Sequence, residues 1–470
     1  MEEEVLEWIF NSSPEIIERM SREIGIESIE ELFSDIPRDL VLRKDLKVGF
    51  GKRLSEYELL RQIDGYSKAI LKPRIPPFAG IEFCIHYVPA LVKYIIERGE
   101  FLTSYTPYHP EINQGVLQAL FEYQCLMAEL YGVEVVNASM YDGSTALAEA
   151  VRMALRITKR RKIVVSKGVS PIKRSVLKTW LRGVDVRIEE VQLTNGTLSA
   201  ETLSSALDRD TACVVIENPN TFGVIETELG ELIAEAHRVG ALAIVFSNPI
   251  ALGILKPPGD YGADIVVGEG APLGLGLYYG GFTLGILGTR NDMKFIRQMP
   301  GRLVGMTVDA EGSKGFALVL QTREQHIRRE RATSNITTNS ALAAIASAVY
   351  VSLLGSDGLK RLALGIAART RYLLHKLRDT LSSVDGVQIP LFNDVSYFMK
   401  IPARIRNLGE VMKIVRERGI LMGSNLGLYD PELRDICTIC VTECHSRSDI
   451  DALIEELRKV LAHVEASSMG

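Results

Sequence analysis

Apolar residues at 116, 120, 123, 127 and 130 fall on one helical stripe that begins after Asn113 and stops at Gly132. The spacing predicts a helix there, with Asn113 as N-cap and Gly132 as C-cap. Beyond it the period changes. Short β-branched runs at 133–137, 163–166, 184–191, 212–216, 241–246 and 265–267 alternate with helical stretches. That alternation predicts an α/β fold with a mainly parallel sheet covered by helices on both faces. After Thr289 the rhythm fades into a glycine-broken, arginine-dense passage, which sets a boundary near residue 310. Helical stretches at 339–354 and 358–381, the run VSYFMKI, a helix over 408–417, the run ICTICVT and a last helix from Asp449 predict a smaller α+β unit.

The chain ahead of this pattern reads differently. Residues 1–72 are helical and charged, with apolar Ile26, Ile29, Leu32 and Phe33 before Pro37, and predict an arm that packs on something larger. Prolines at 73, 76, 77 and 89 make the next stretch a connector with no regular element before His86. The expected organisation is an arm over 1–75, a large domain over 76–310, and a helical connection with a small domain over 311–470.

Composition narrows the function classes. The 470 residues are 46% hydrophobic and 24% charged, and the formal net charge is −5, which gives no basic field for nucleic acid or anionic lipid. The start, MEEEVLEWIF, is acidic where a secretory signal is basic, and no run of roughly 18 apolar residues is present to span a bilayer. Six cysteines are sparse for this length, so a soluble protein of the reducing cytoplasm is expected.

Three segments could carry chemistry. The turn 140–146, MYDGSTA, follows a strand and opens a helix whose free N–H groups favour an anion; Gly143 permits close approach, and Ser144 and Thr145 stand beside it, either as anion ligands or as helix caps. The loop 217–223, ENPNTFG, leaves the carboxyl end of another strand, where ligands sit in open α/β sheets, although Asn218, Pro219 and Gly223 also suit a plain turn. The loop 103–115 holds Tyr105, Thr106, Tyr108, His109, Glu111 and Gln114 between Pro107 and Pro110, residues suited to a small amino-acid substrate or to a subunit interface.

An aldehyde cofactor held as a Schiff base needs a lysine amine, and between Asp264 and Arg290 there is none. Gly268-Glu269-Gly270-Ala271-Pro272 stands at the strand exit; Lys256 comes before the strand and Lys294 well after it. Cys437, Cys440, Cys444 and His445 have a spacing suggestive of zinc, but the apolar run around Cys437 and Cys440 favours buried free cysteines, and no metal is expected. The run GSKGFALV lacks the order of a phosphate loop.

SYTPYHPEINQG, NASMYDGSTALAEA, PPGDYGADIVVGEGAPLG, PGRLVG and RRERATSNITTN closely resemble the glycine cleavage system P-protein family over nearly all the chain, and more narrowly subunit 1, the alpha chain of its two-subunit forms. The resemblance implies a pyridoxal phosphate-dependent transferase fold of the aspartate aminotransferase type, with a mostly parallel seven-stranded large domain and a smaller C-terminal domain. It implies glycine decarboxylation with release of carbon dioxide and transfer of the aminomethyl group to the lipoyl group of H-protein. It places pyridoxal phosphate on a lysine-bearing beta chain, in an α2β2 assembly. Gly143, Ser144, Thr145, Asn218 and Asn248 would then line a vestigial pocket, since Asn248 stands where the family pattern has an aspartate for the pyridine nitrogen. Tyr105, Thr106, Tyr108, His109, Glu111 and Gln114 would face glycine or the partner's cofactor, and Arg302, Arg328, Arg329 and Arg331 would serve an interface or channel. The alternatives are an autonomous pyridoxal phosphate decarboxylase using another lysine, and a non-catalytic scaffold subunit.

Overall fold

The structure is a computed structural model that describes residues 10–42, 49, 54–70, 72–336 and 338–468. The chain divides into two units, Met1–Leu71 and Lys72–Gly470. In the first, α1 (Pro14–Ile24) closes on Gly25 at φ 75°, and α2 (Glu56–Ala69) opens with a reciprocal Ser55–Glu58 capping box. Neither helix has a buried residue, and Met20, Ile24, Leu60, Ile63 and Tyr66 are exposed.

The second unit opens with the proline-rich connector, which has no helix or strand before His86, as expected, and lies against the small sheet: Arg74 and Phe78 donate backbone N–H groups to Gly419 and Leu421, and Phe78 accepts from Cys440. Helices α3 (Ala90–Ile96) and α4 (Gly99–Leu102) lead to α5 (Gln114–Tyr131), the helix read from the apolar stripe. Val116, Leu120, Tyr123 and Met127 are buried, and Gly132 takes the left-handed conformation at φ 68°. Asn113 occupies the cap position, but its amide donates to the His109 carbonyl and caps no N–H.

The large sheet comprises β1 (Val135–Val136), β2 (Lys162–Ser166), β3 (Arg187–Val191), β4 (Thr211–Asn218), β5 (Leu242–Ser247), β6 (Ile265–Glu269) and β7 (Gly285–Thr289), in the order β1-β7-β6-β5-β4-β2-β3. β3, β2, β4, β5 and β6 pair in parallel, and β7 and β1 run antiparallel at one edge. Strands β2, β4, β5, β6 and β7 are buried along their whole length, which is why they read as unbroken apolar runs and not as alternations. Helices α6 (Gly143–Thr158), α7 (Pro171–Leu181), α8 (Ala200–Ala206) and α9 (Leu229–Arg238) make the crossovers between these strands.

Past residue 289 lie α10 (Met293–Ile296), a hairpin of β8 (Leu303–Val308) and β9 (Lys314–Val319), and α11 (Gln325–Arg328). The hairpin is a departure from the sequence reading, which saw no strands here: β8 and β9 pair with each other alone, half exposed, and glycines dilute their pattern. The two helical stretches that follow are one segment, α12 (Ala341–Leu381), broken at Gly355, where φ 61° and ψ −178° suit glycine. Part of α12 is long and apolar enough by composition to cross a bilayer, with 44% of that window buried inside the fold. The small domain is a four-stranded antiparallel sheet of β10 (Val387–Gln388), β11 (Lys400–Ile405), β12 (Ser424–Asn425) and β13 (Ile436–Cys440), in the order β10-β11-β13-β12, with α13 (Leu408–Glu417) and α14 (Arg447–Ser468).

One expectation is overturned in the small domain. Cys440 is not free: it forms a disulfide with Cys84 of the connector, because β13 and the connector hydrogen-bond side by side and bring both thiols into the core. Cys437 is buried and free, and Cys444 is half-buried. His445 is committed on both ring nitrogens, Nδ1 to the Thr442 N–H at 3.0 Å and Nε2 near the Pro77 carbonyl at 3.2 Å.

Candidate functional site

The carboxyl ends of β4, β5 and β6 open toward the N-terminus of α6, as the alternation implied, and both suspected turns converge there. What fills the crevice was not visible in the sequence. Glu269, the last residue of β6, turns its carboxylate onto the α6 N-terminus: Oε2 accepts the Gly143 N–H at 2.8 Å, and Oε1 accepts the Ala271 and Leu284 N–H groups at 2.8 and 3.1 Å. Burial pushes Glu269 up to about 7 despite those three donors. The absent Cβ of Gly143 would stand 3.0 Å from Phe246 and from Glu269, so the close approach that glycine permits is made by this chain's own side chains.

Beside it lies a buried charge cluster drawn from four elements. Lys173 of α7 is 1% exposed, 2.9 Å from Glu82 of the connector and 3.1 Å from Glu217 of β4, with its ammonium 4.3 Å from the Phe246 ring centroid. Burial alone would lower the Lys173 pKa, but Glu217 and Glu82 more than reverse it and the ammonium is kept. Burial likewise works to raise Glu82, yet Lys173, Ser170 and Lys400 hold its carboxyl below the usual value, while for Glu217 burial wins and the carboxyl is raised. Lys400, from β11 of the small domain, donates to the Ile81 carbonyl at 2.6 Å; burial, then the neighbouring Lys173, lower it to about 8.

These residues leave a cavity of only about 30 Å³. Small-molecule and cofactor pockets are roughly 300–1,000 Å³. The remaining vestigial-pocket residues are also engaged. Ser144 Oγ donates to Glu82, Thr145 Oγ1 donates to Asp142, and the Thr145 N–H is capped by Asp142. Asn218 Oδ1 accepts from the Glu226 N–H at 3.0 Å, and Asn248 Oδ1 accepts the Ile250 and Ala251 N–H groups at 2.9 and 3.3 Å. The residues present therefore do not fit pyridoxal phosphate: no lysine stands between Asp264 and Arg290, the α6 N-terminus already holds the Glu269 carboxyl, and the cavity is far too small for the cofactor.

The 103–115 loop lies elsewhere and is largely open. Tyr105 is 72% exposed and, with Thr106, Tyr141, Thr283, Thr338 and Asn339, lines a separate cavity of about 400 Å³. Thr106 is buried with its hydroxyl 3.4 Å from that of Thr338. The Tyr108 hydroxyl accepts from Arg302 Nη2 at 2.6 Å, and His109 and Glu111 are exposed. Gln114 is exposed and bonded to β9, its amide both accepting from and donating to the Phe316 backbone at 2.9 Å, so it clamps the hairpin and does not line the cavity. Arg302 is 2% exposed, under the loop and not on the surface, whereas Arg328, Arg329 and Arg331 are exposed.

Sequence reasoning passed over Glu82, Lys173 and Lys400. A lysine in the strand run VSYFMKI was a signal for Lys400, but a buried partner at residue 82 in an irregular connector gives no local pattern.

Comparison with known proteins points one way. The model of the family described as "Glycine cleavage system P-protein" matches residues 10–457. A protein of Staphylothermus marinus named "Probable glycine dehydrogenase (decarboxylating) subunit 1" is 46% identical over 467 residues, covering 97% of this chain and 98% of its own. One of the same name from Saccharolobus islandicus strain L.S.2.15 is 45% identical over 459 residues, covering 96% and 98%. Among solved structures, a glycine decarboxylase (P-protein) of the glycine cleavage system in inhibitor-bound form is 39% identical with a TM-score of 0.83, covering 97% of this chain and all of that one. A Burkholderia pseudomallei sphingosine-1-phosphate lyase, at 13% identity and TM-score 0.61 over 91% of this chain and 95% of its own, shares the fold alone.

Proposed function

This chain belongs to the glycine cleavage system P-protein family, and from that premise we propose that it is the subunit of glycine decarboxylase that completes a catalytic site on a second chain without holding a cofactor itself. The observation that carries the reading is the contact between Glu269 and Gly143, which fills this chain's own cradle. The second chain would bear the lysine and pyridoxal phosphate, whose ring serves as the electron sink when glycine loses carbon dioxide. H-protein would accept the aminomethyl group on its lipoyl arm, and the assembly would be α2β2.

This chain's contribution is a surface. Tyr105, Tyr108, His109 and Glu111 stand exposed on the loop beside the 400 Å³ cavity. Tyr87, Leu91, Tyr94, Leu102 and Ile112 from the same stretch of chain are also exposed. Aromatic and apolar groups of this kind suit a subunit interface, with the phenols and the carboxylate left to orient a small zwitterion at its edge. The backbone of the loop is set by prolines at 107 and 110 and by the Gln114 clamp, so these groups are presented with little freedom to lose.

Glycine-dependent release of carbon dioxide, measured with each chain alone and with both mixed, tests the reading. Activity only in the mixture is expected. Activity of this chain alone would overturn it, and full activity of the second chain alone would reduce this one to a scaffold.

A further inference from the structure

We propose that Arg302 is a positioning residue for the 103–115 loop: one buried guanidinium ties Tyr108 to Glu324, so that the loop's aromatic groups reach the partner in a single orientation. The functional half of this inference rests on the reading above, in which that loop faces the composite site.

Arg302 precedes β8 and is 2% exposed. Its Nη1 is paired with the buried carboxylate of Glu324, its Nη2 is 2.6 Å from the Tyr108 hydroxyl, and its guanidinium carbon is 4.7 Å from the Tyr108 ring centroid. On the other side, the His326 ring meets Tyr108 edge-on at 5.6 Å, and His326 Nδ1 lies 3.5 Å from Glu324. Tyr108 is thus held between a cation and an imidazole that share one carboxylate. Its ring is still 39% exposed, so the residue is anchored at one side and presented at the other.

The rest of the loop is tied more lightly. Thr106 meets Thr338 at a long 3.4 Å, and Asn113 and Gln114 fix the carboxyl end, where the helix begins. Between them, Tyr108 is the side chain that reaches a buried charged pair. The planar fork of arginine can hold a carboxylate and a phenol at once with little rotamer freedom to lose, whereas a lysine ammonium on a flexible stem cannot span both in fixed geometry.

Removing Arg302 alone would strand a buried Glu324, so the test uses the charge-neutral pair Arg302→Met with Glu324→Met, alongside Tyr108→Phe. Hydrogen exchange on the full chain comes first. Amides in 103–112 are expected to exchange about tenfold faster in the Met pair while the sheet β2 to β6 is unchanged; protection equal to wild type would overturn the anchoring. In the complex with the second chain, Tyr108→Phe and the Met pair are each expected to lower kcat/KM for glycine by roughly 10- to 100-fold, and their combination no further, because both remove one unit. Losses that multiply would show that Arg302 acts independently of Tyr108 and would overturn the positioning role. A wild-type complex silent toward glycine would sink the preceding reading, and the exchange result would still decide the anchoring.

Discussion

The Glu269 carboxyl accepts the Gly143 N–H at 2.8 Å, joining the end of β6 to the start of α6. A helix N-terminus attracts an anion through its unsatisfied donors and dipole, and here the chain's own carboxyl group takes that position. The consequence is a pocket with its charge requirements met, not an empty one waiting for a ligand.

Because burial raises Glu269 to about 7, above its unfolded value near 4.5, the folded state binds the extra proton between those limits. Its stabilising contribution is therefore present in full below about pH 4.5 and is lost as pH rises through 7, by roughly 3 kcal/mol at most. Glu226, also raised to about 7 by burial, adds a slope of the same sign. Chemical denaturation between pH 4.5 and 7.5 should show wild-type stability falling with pH and the fall shrinking in Glu269→Gln. An unchanged slope would contradict the assignment.

Lys173 neutralises two carboxylates in a dry site. Lys173→Met should cost about 3–5 kcal/mol by leaving Glu82 and Glu217 facing each other, and adding Glu217→Gln should recover part of the loss. Urea midpoints of the single and double variants measure this; equal stability of Lys173→Met and wild type would show the cluster to be energetically idle.

The Cys84–Cys440 disulfide closes a loop of 356 residues in sequence. Chain-entropy reasoning for so long a loop gives an upper figure of about 6 kcal/mol, and losing a native disulfide typically costs about 2–5 kcal/mol. Non-reducing peptide mapping should find the two peptides joined, and reductant should lower Tm in wild type but not in Cys84→Ser. Two free thiols in the purified chain would refute the pairing.

Tyr105 makes no hydrogen bond among the described residues and is 72% exposed, so it contributes little to this chain's own stability. Tyr105→Ala should leave Tm within about 1 °C of wild type and lower turnover of the mixed complex at least tenfold, as expected for a surface group that acts only across an interface. Undiminished turnover would remove it from the composite site.

Much of the fold was legible because its signals are local. The stripe from 116 to 130 and the buried runs of β2, β4, β5 and β6 carry their periods in contiguous residues, and the absence of a lysine after β6 can be read directly. The contents of the crevice were not legible in that way. Glu82, Lys173, Glu217 and Lys400 are brought together from an irregular connector, a helix and two strands in different domains, and no spacing links them. Gln114 misled for the opposite reason: its neighbours in sequence suggest a site, while its amide is taken by the backbone of a hairpin some two hundred positions away. The pairing of Cys84 with Cys440 was not legible because the two lie 356 positions apart and meet only where the connector is bonded to β13 through Phe78 and Cys440.

The most direct test of the central claim is borohydride reduction of this chain with pyridoxal phosphate, alone and coexpressed with a candidate second chain, followed by peptide mass mapping for pyridoxyl-lysine. The account predicts a stoichiometric adduct on the second chain and none on this one. A stoichiometric adduct on this chain, with Lys400 the candidate because its amine is lowered to about 8 beside the crevice, would contradict it.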